Sequence, residues 1–140
     1  MTLPAGKTEL WSWKMYNDSG YLNATGYGAT SDGLSYAISP VIDLTGYTSA
    51  KVSFRHAAKF QTTIKQLCGF VVREAGSSAW TELTIQEWPP LDNKWTFVSS
   101  GEMDLSAFAG KKIQVAFKYG CSAAGADQWE INDLEVKASR

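Results

Sequence analysis

Cysteine and histidine are scarce in this sequence of 140 residues, which contains two Cys and a single His. Cys68 and Cys121 are too few for a disulfide framework, and without C-x-x-C spacing they do not indicate a zinc site. Cys68 shares its alternation phase with Phe70 and Val72, which favours a buried thiol that packs as a small hydrophobic residue. A bridge to Cys121 is the alternative. The lone His56 excludes a histidine-rich metal centre.

A surplus of one charge and long apolar runs are also lacking. Thirteen basic residues stand against fourteen acidic ones, for a formal net charge of -1. Nucleic acid is therefore not an expected partner, because phosphate neutralisation needs a basic stripe. No run approaches the roughly 20 apolar residues of a membrane span, so we expect no membrane insertion, and the N-terminus shows no leader pattern. The composition, 44% hydrophobic and 19% charged, is typical of one globular domain over residues 1–140.

Aromatic residues and alternating apolar residues are abundant. There are 6 Trp, 6 Tyr and 6 Phe, which indicates a ring-rich core, a stacking surface, or some of each. Period-2 alternation recurs between turn signals, and no window holds a helical period. The predicted strands cover 11–16, 21–24, 36–38, 52–60, 68–73, 80–85, 95–99, 113–119 and 129–136. We therefore predict an all-β fold, a two-sheet antiparallel β-sandwich of the jelly-roll type.

The alternation also assigns individual side chains to the interior. His56 lies on the inward phase of its strand, so a hydrogen-bonded core histidine is a better interpretation than a catalytic base. Trp80, Trp95 and Trp129 begin predicted strands and alternate with aliphatic residues. This places them in the core or at its rim.

Two segments of the chain repeat one pattern without a gap. Asp43 with Leu44 and Asp104 with Leu105 each begin a turn that carries an aromatic residue and leads into a long alternating strand. Aspartate at the start of a turn accepts backbone N–H bonds. We therefore predict that both aspartates are structural and that the two segments are equivalent.

The last predicted strand changes phase within itself. Trp129 and Ile131 share one face, whereas Leu134 and Val136 share the other. A β-bulge at 132–133 reconciles the two halves. Such a bulge either adds local twist or re-aims side chains near a functional site.

Five motifs carry a family resemblance over residues 36–136. They are AISPVIDLTGY (37–47), VSFRHA (52–57), DLS (104–106), GKKIQVAFKY (110–119) and QWEINDLEV (128–136). The set resembles the choice-of-anchor J and cleaved-adhesin group of domains from Bacteroidetes. Tyr36 and Ala37 depart from the pattern, since that group usually has Trp and a large aliphatic residue there. The resemblance implies a galactose-binding-like jelly roll without catalytic activity. It also implies a secreted or lipid-anchored location in a longer surface protein, and a structural calcium ion near the first and last strands.

Sugar binding requires exposed rings that stack on a pyranose, with polar side chains nearby for its hydroxyl groups. Trp88 is the best candidate because it lies in a Pro-rich loop among polar residues, although a loop Trp can also plug the core edge. Trp11 and Trp13 share one face of their predicted strand and offer a second platform, or else seal the open edge of the sandwich. The predicted ligand-binding residues are Trp88, Trp11, Trp13, Tyr16, Asp92 and Asn93.

Calcium binding needs several oxygen ligands at one place, and the chain has no EF-hand-like ladder. The candidate ligands are Asp18, Asp133, Asp127 and Asp32. We expect no enzymatic activity, although paired carboxylates among Glu82, Glu87, Asp92 and Glu102 would suit a glycoside hydrolase. The leading hypothesis is a carbohydrate-binding module at the bacterial cell surface, whose partner is a glycan. The alternative is an adhesin or assembly module that binds a surface protein.

Overall fold

The computed structural model describes residues 11–16, 19–25, 33–59, 68–90, 95–121 and 128–140, which form two antiparallel sheets. The first sheet has the order β1 (Trp11–Tyr16), β2 (Ser19–Thr25), β11 (Gln128–Ser139), β5 (Ser49–Lys59) and β8 (Val98–Ser99), and β9 (Met103–Asp104) also pairs with β5. The second has the order β3 (Gly33–Ile38), β10 (Lys112–Cys121), β6 (Gly69–Glu74) and β7 (Thr81–Leu83), and β4 (Ile42–Asp43) pairs with β10. The predicted two-sheet antiparallel sandwich is confirmed.

Helical structure is limited, among the described residues, to one 3-10 turn at Ser106–Phe108. Nothing in this part of the chain is a helix with the length and apolarity to cross a membrane.

The core lies between the sheets and is centred on rings from both. Phe54 of the first sheet lies 4.9 Å from Phe117 and 5.3 Å from Phe70 of the second sheet, measured between ring centroids. Trp129 of the first sheet is fully buried, 5.9 Å from Phe117. The two edge-to-face pairs, Phe54–Phe117 and Phe117–Trp129, each add about 1 kcal/mol beyond the area they bury. The predicted burial of Cys68, which is 4% exposed, is also confirmed.

The two Asp-Leu segments are structural equivalents, as predicted. Asp43 Oδ1 accepts the Thr45 N–H at 2.9 Å, and Asp104 Oδ1 accepts the Ser106 N–H at 2.9 Å. Hydrogen bonds from the Thr45 and Ser106 side chains, and then those from the backbone N–H groups of the same residues, favour the charged form and lower the pKa of the Asp43 and Asp104 carboxyl groups. The leucine that follows each Asp is buried, and each turn then leads into a long strand, β5 or β10.

The predicted bulge in the last strand is present. The register between β11 and β5 shifts between Asn132 and Glu135, and Asp133 has a φ of 52°. This left-handed conformation costs a residue with a Cβ about 1 kcal/mol, and aspartate is among the residues that adopt it most readily. Because the bulge changes which side chains face inward, it accounts for the phase change within the strand.

We predict that glycine is the better residue at position 133. Asp133→Gly removes the Cβ penalty and raises the free energy of unfolding by about 0.5 kcal/mol, whereas Asp133→Val lowers it by about 1 to 2 kcal/mol. Urea denaturation measures both. Glu135→Gly, on the same strand outside the left-handed position, is the matched control and should destabilise. A Val variant as stable as the parent protein would contradict the strain at this position.

Candidate functional site

The loop that carries Trp88 is tied to the first sheet by its backbone. The N–H groups of Gln86 and Glu87 both donate to the Ser100 carbonyl, at 3.0 and 3.3 Å. Ser100 is fully buried, and its own N–H donates to the Phe54 carbonyl at 2.8 Å. The loop is thus connected by hydrogen bonds to the centre of β5.

His56 makes the second connection between this loop and the first sheet, and both of its ring nitrogens form hydrogen bonds. The indole Nε1–H of Trp129, which can only donate, lies 3.1 Å from His56 Nδ1. Nδ1 is therefore the acceptor, and Nε2 carries the proton and donates to the Glu87 carbonyl at 2.7 Å. The ring is neutral. Its burial lowers the pKa of His56 to about 4, and the hydrogen bond to the Glu87 carbonyl opposes this shift by raising the pKa. The prediction of a hydrogen-bonded core histidine is confirmed.

Trp88 packs on this buried pair and also faces a pocket. Its ring lies 5.9 Å from the Trp129 ring in a stacked arrangement and 5.5 Å from the His56 ring. The side chain is partly buried against the core. It also lines an open pocket of about 160 Å³ together with Cys68, Gly69, Glu82, Leu83, Thr84 and Ile85.

The polar groups of this pocket come from β7 and the residue after it. The Glu82 carboxylate lies 2.7 Å from Lys118 Nζ, and both side chains are partly exposed. A Cβ at position 69 would meet Glu82 Oε1 at 2.7 Å, so Gly69 allows the carboxylate to lie over β6. Thr84 is exposed. An aromatic residue, an acidic residue and a threonine therefore all line the pocket.

Most of the other predicted site residues lie outside the described part of the chain. This holds for the ligand candidates Asp92 and Asn93 and for the calcium candidates Asp18, Asp32 and Asp127. Trp11, Trp13 and Tyr16 belong to β1, the strand predicted for them. Asp133 is exposed in the bulge, and the described residues contain no group of three His, Cys, Asp or Glu that could hold a metal ion. Ligand binding and calcium binding at these positions stay predictions.

A cluster of two aromatic rings and an arginine on the outer face of the second sheet was not predicted from the sequence. Tyr36 and Trp80 have parallel rings 5.8 Å apart, and the Arg73 guanidinium lies 4.3 Å from the Trp80 ring centroid. The alternation pattern assigns Trp80, Trp95 and Trp129 to the core or its rim. Trp129 lies in the core as predicted, whereas Trp80 is neither in the core cluster nor packed against it, and Trp95 is 37% exposed. The missed signal was pairing between strands: Val72 pairs with Thr81, and Arg73 and Trp80 are the residues that adjoin this pair.

Comparisons with known proteins bear on the fold. No family model matches the sequence, and no curated protein matches it. Among solved structures, the K1 cleaved adhesin domain of Lys-gingipain from Porphyromonas gingivalis W83 is similar, with a TM-score of 0.59 and 19% sequence identity. The match covers 100% of this chain and 90% of the gingipain chain. The two share a β-sandwich fold.

We predict that His56 makes stability depend on pH. The folded pKa of about 4 lies below the ordinary value of 6.5. Between these values the unfolded chain binds the proton and the folded protein does not. The free energy of unfolding is therefore highest above pH 6.5 and falls by about 3 kcal/mol as the pH drops towards 4.

Urea denaturation of the parent protein and His56→Gln from pH 4 to 8 tests this dependence. A glutamine side chain can accept a hydrogen bond from Trp129 and donate one to Glu87, but it does not titrate. This variant should therefore lose the pH dependence of stability that His56 contributes and keep the part that the carboxylates contribute. Parallel stability profiles for the two proteins would contradict the assignment.

Proposed function

We propose that this chain is a non-catalytic carbohydrate-binding module whose ligand occupies the Trp88 pocket. The observation that carries the proposal is the composition of that pocket, where Trp88, Glu82 and Thr84 line one open cavity. An aromatic ring can stack on the apolar face of a sugar, while a carboxylate and a hydroxyl group accept and donate hydrogen bonds to sugar hydroxyls. These are the groups that a glycan requires.

The rigidity of the Trp88 loop supports a binding role. The ring is held by stacking on Trp129, and the loop backbone is held by His56 and Ser100. A ligand that docks on a fixed ring does not have to immobilise that side chain, and an immobilised side chain typically costs about 1 kcal/mol. Most of the binding free energy of the contacts is then retained.

The shared fold bears on the kind of protein in which this module occurs. The similar gingipain domain is, by its description, a cleaved adhesin domain of a larger protein. By analogy we place this chain in a secreted or surface-exposed protein of which it is one part, as the sequence resemblance also implies.

A glycan array followed by calorimetry tests the proposal. Thr84→Val keeps the shape of the side chain and removes its hydroxyl group, so it should weaken binding of the selected glycan about 3-fold to 10-fold. Trp88→Phe retains a ring on Trp129 but offers less area to the sugar, and it should weaken binding as well.

Thr81→Val is the matched control, because Thr81 is exposed on β7 but does not line the pocket. Its affinity should equal that of the parent protein. The proposal fails if no glycan on an array of plant, host and bacterial polysaccharides binds, or if Thr84→Val and Thr81→Val bind equally well.

An adhesin that binds protein is the second candidate function, and exposed apolar side chains favour it. Ile38 and Val41, at the end of β3 and in the link to β4, are 47% and 53% exposed. Neighbouring exposed apolar groups are typical of protein-binding surfaces. Capture of a purified host matrix protein by the parent protein, lost in Ile38→Asp and retained in Thr84→Val, would favour this function over glycan binding.

A further inference from the structure

The outer face of the second sheet has a buried centre under two aromatic rings. Ala116 of β10 and Val71 of β6 are 0% and 3% exposed, although neither belongs to the core cluster between the sheets. Tyr36 of β3 and Trp80, next to β7, stack on one another from the two sides of the sheet. Because about 14 Å separates the outermost of four adjacent strands, the rings can meet only by lying over the two central ones. They form an aromatic cover over Ala116 and Val71.

The two rings leave part of their faces open. Their planes differ by 5° and their centroids are 5.8 Å apart. Parallel rings in van der Waals contact are about 3.5 Å apart, so at this centroid distance they are offset sideways by about 4.6 Å. Both side chains are partly exposed. The cover thus offers two parallel, offset and partly exposed rings.

Arg73 is fixed beside this surface with part of its guanidinium unused. Its Nε and Nη2 donate to Gln114 Oε1 at 3.2 and 3.0 Å, and Gln114 Nε2 donates to the Ser39 carbonyl at 3.1 Å. The Trp80 ring lies under the guanidinium carbon. Among the described residues, no carboxylate is within salt-bridge distance of Arg73, whereas the nearby Lys118 is paired with Glu82. The Nη1 hydrogens are therefore available to a ligand.

We propose that Tyr36, Trp80 and Arg73 form a second binding site, for a sugar that carries a carboxylate, such as a uronic acid. The pyranose ring stacks on the parts of the Tyr36 and Trp80 rings that the ring pair and Arg73 leave exposed, and the carboxylate binds the guanidinium of Arg73. A flat ring surface beside an unpaired cation matches the two halves of such a sugar, and the charge-assisted bond supplies selectivity over a neutral sugar. This site is separate from the Trp88 pocket and does not depend on it.

The experiment compares two oligosaccharides that differ only in a carboxylate, one of glucuronic acid and the other of glucose. Calorimetry at low salt should show about tenfold tighter binding of the acidic form, and this preference should fall as salt is added. Arg73→Met keeps the side-chain stem over Trp80 and should abolish the preference. Arg73→Lys keeps the charge without the fork and should retain only part of it.

Two controls separate this site from the rest of the protein. Arg55→Met removes an exposed arginine of the first sheet, which donates to the Phe97 carbonyl, and should leave the preference unchanged. Thr84→Val should also leave it unchanged even if it abolishes binding at the Trp88 pocket. Thermal melting of each variant checks that it is folded.

The proposal is overturned if the parent protein binds both oligosaccharides equally. It is also overturned if folded Arg73→Met retains the preference. A further contradicting result is an acidic peptide that binds at Arg73 without displacing the bound acidic oligosaccharide.

Discussion

The hydrogen bond between the Trp129 indole and His56 is the interaction on which the organisation of this end of the sandwich depends. Both residues are fully buried, and each supplies the partner that the other needs. Removing the histidine acceptor would leave a buried indole N–H unsatisfied, at a cost of about 1 to 3 kcal/mol. The same bond fixes the tautomer of His56 and so directs its remaining N–H to the Glu87 carbonyl. A contact within the core thereby positions a residue on the surface loop, and Trp88 follows it in sequence.

The inner and outer faces of the second sheet use aromatic rings for different purposes. Inside, Phe70 and Phe117 are buried among rings from the first sheet and contribute to folding. Outside, Tyr36 and Trp80 cover small side chains and keep part of their own surface in solvent. The small size of Ala116 permits this arrangement, because a larger side chain there would lift the rings off the sheet.

Strand alternation predicted the inner face well and the outer face poorly, for a physical reason. The inward residues of β5 and β10 repeat every second position, so a single strand reveals them. Trp80 has no such pattern of its own, because its position beside Arg73 follows from the pairing of the adjoining residues Val72 and Thr81. The bulge at Asp133 could be predicted because it reverses the phase within one strand. The pocket at Trp88 could be predicted only in part, since Cys68 and Gly69 approach it through the pairing of β6 with β7 and not through sequence proximity.

His56 is not suited to act as a general acid or base near neutral pH. General acid-base catalysis near neutral pH needs a group that gains and loses a proton there and that reaches the substrate. The only histidine has both nitrogens engaged inside the protein, and its pKa of about 4 keeps it neutral at that pH. Among the other polar groups at the two candidate sites, Glu82 is paired with Lys118 and Arg73 is fixed by Gln114. Held in fixed positions beside aromatic rings, these groups can orient a ligand with little loss of side-chain entropy.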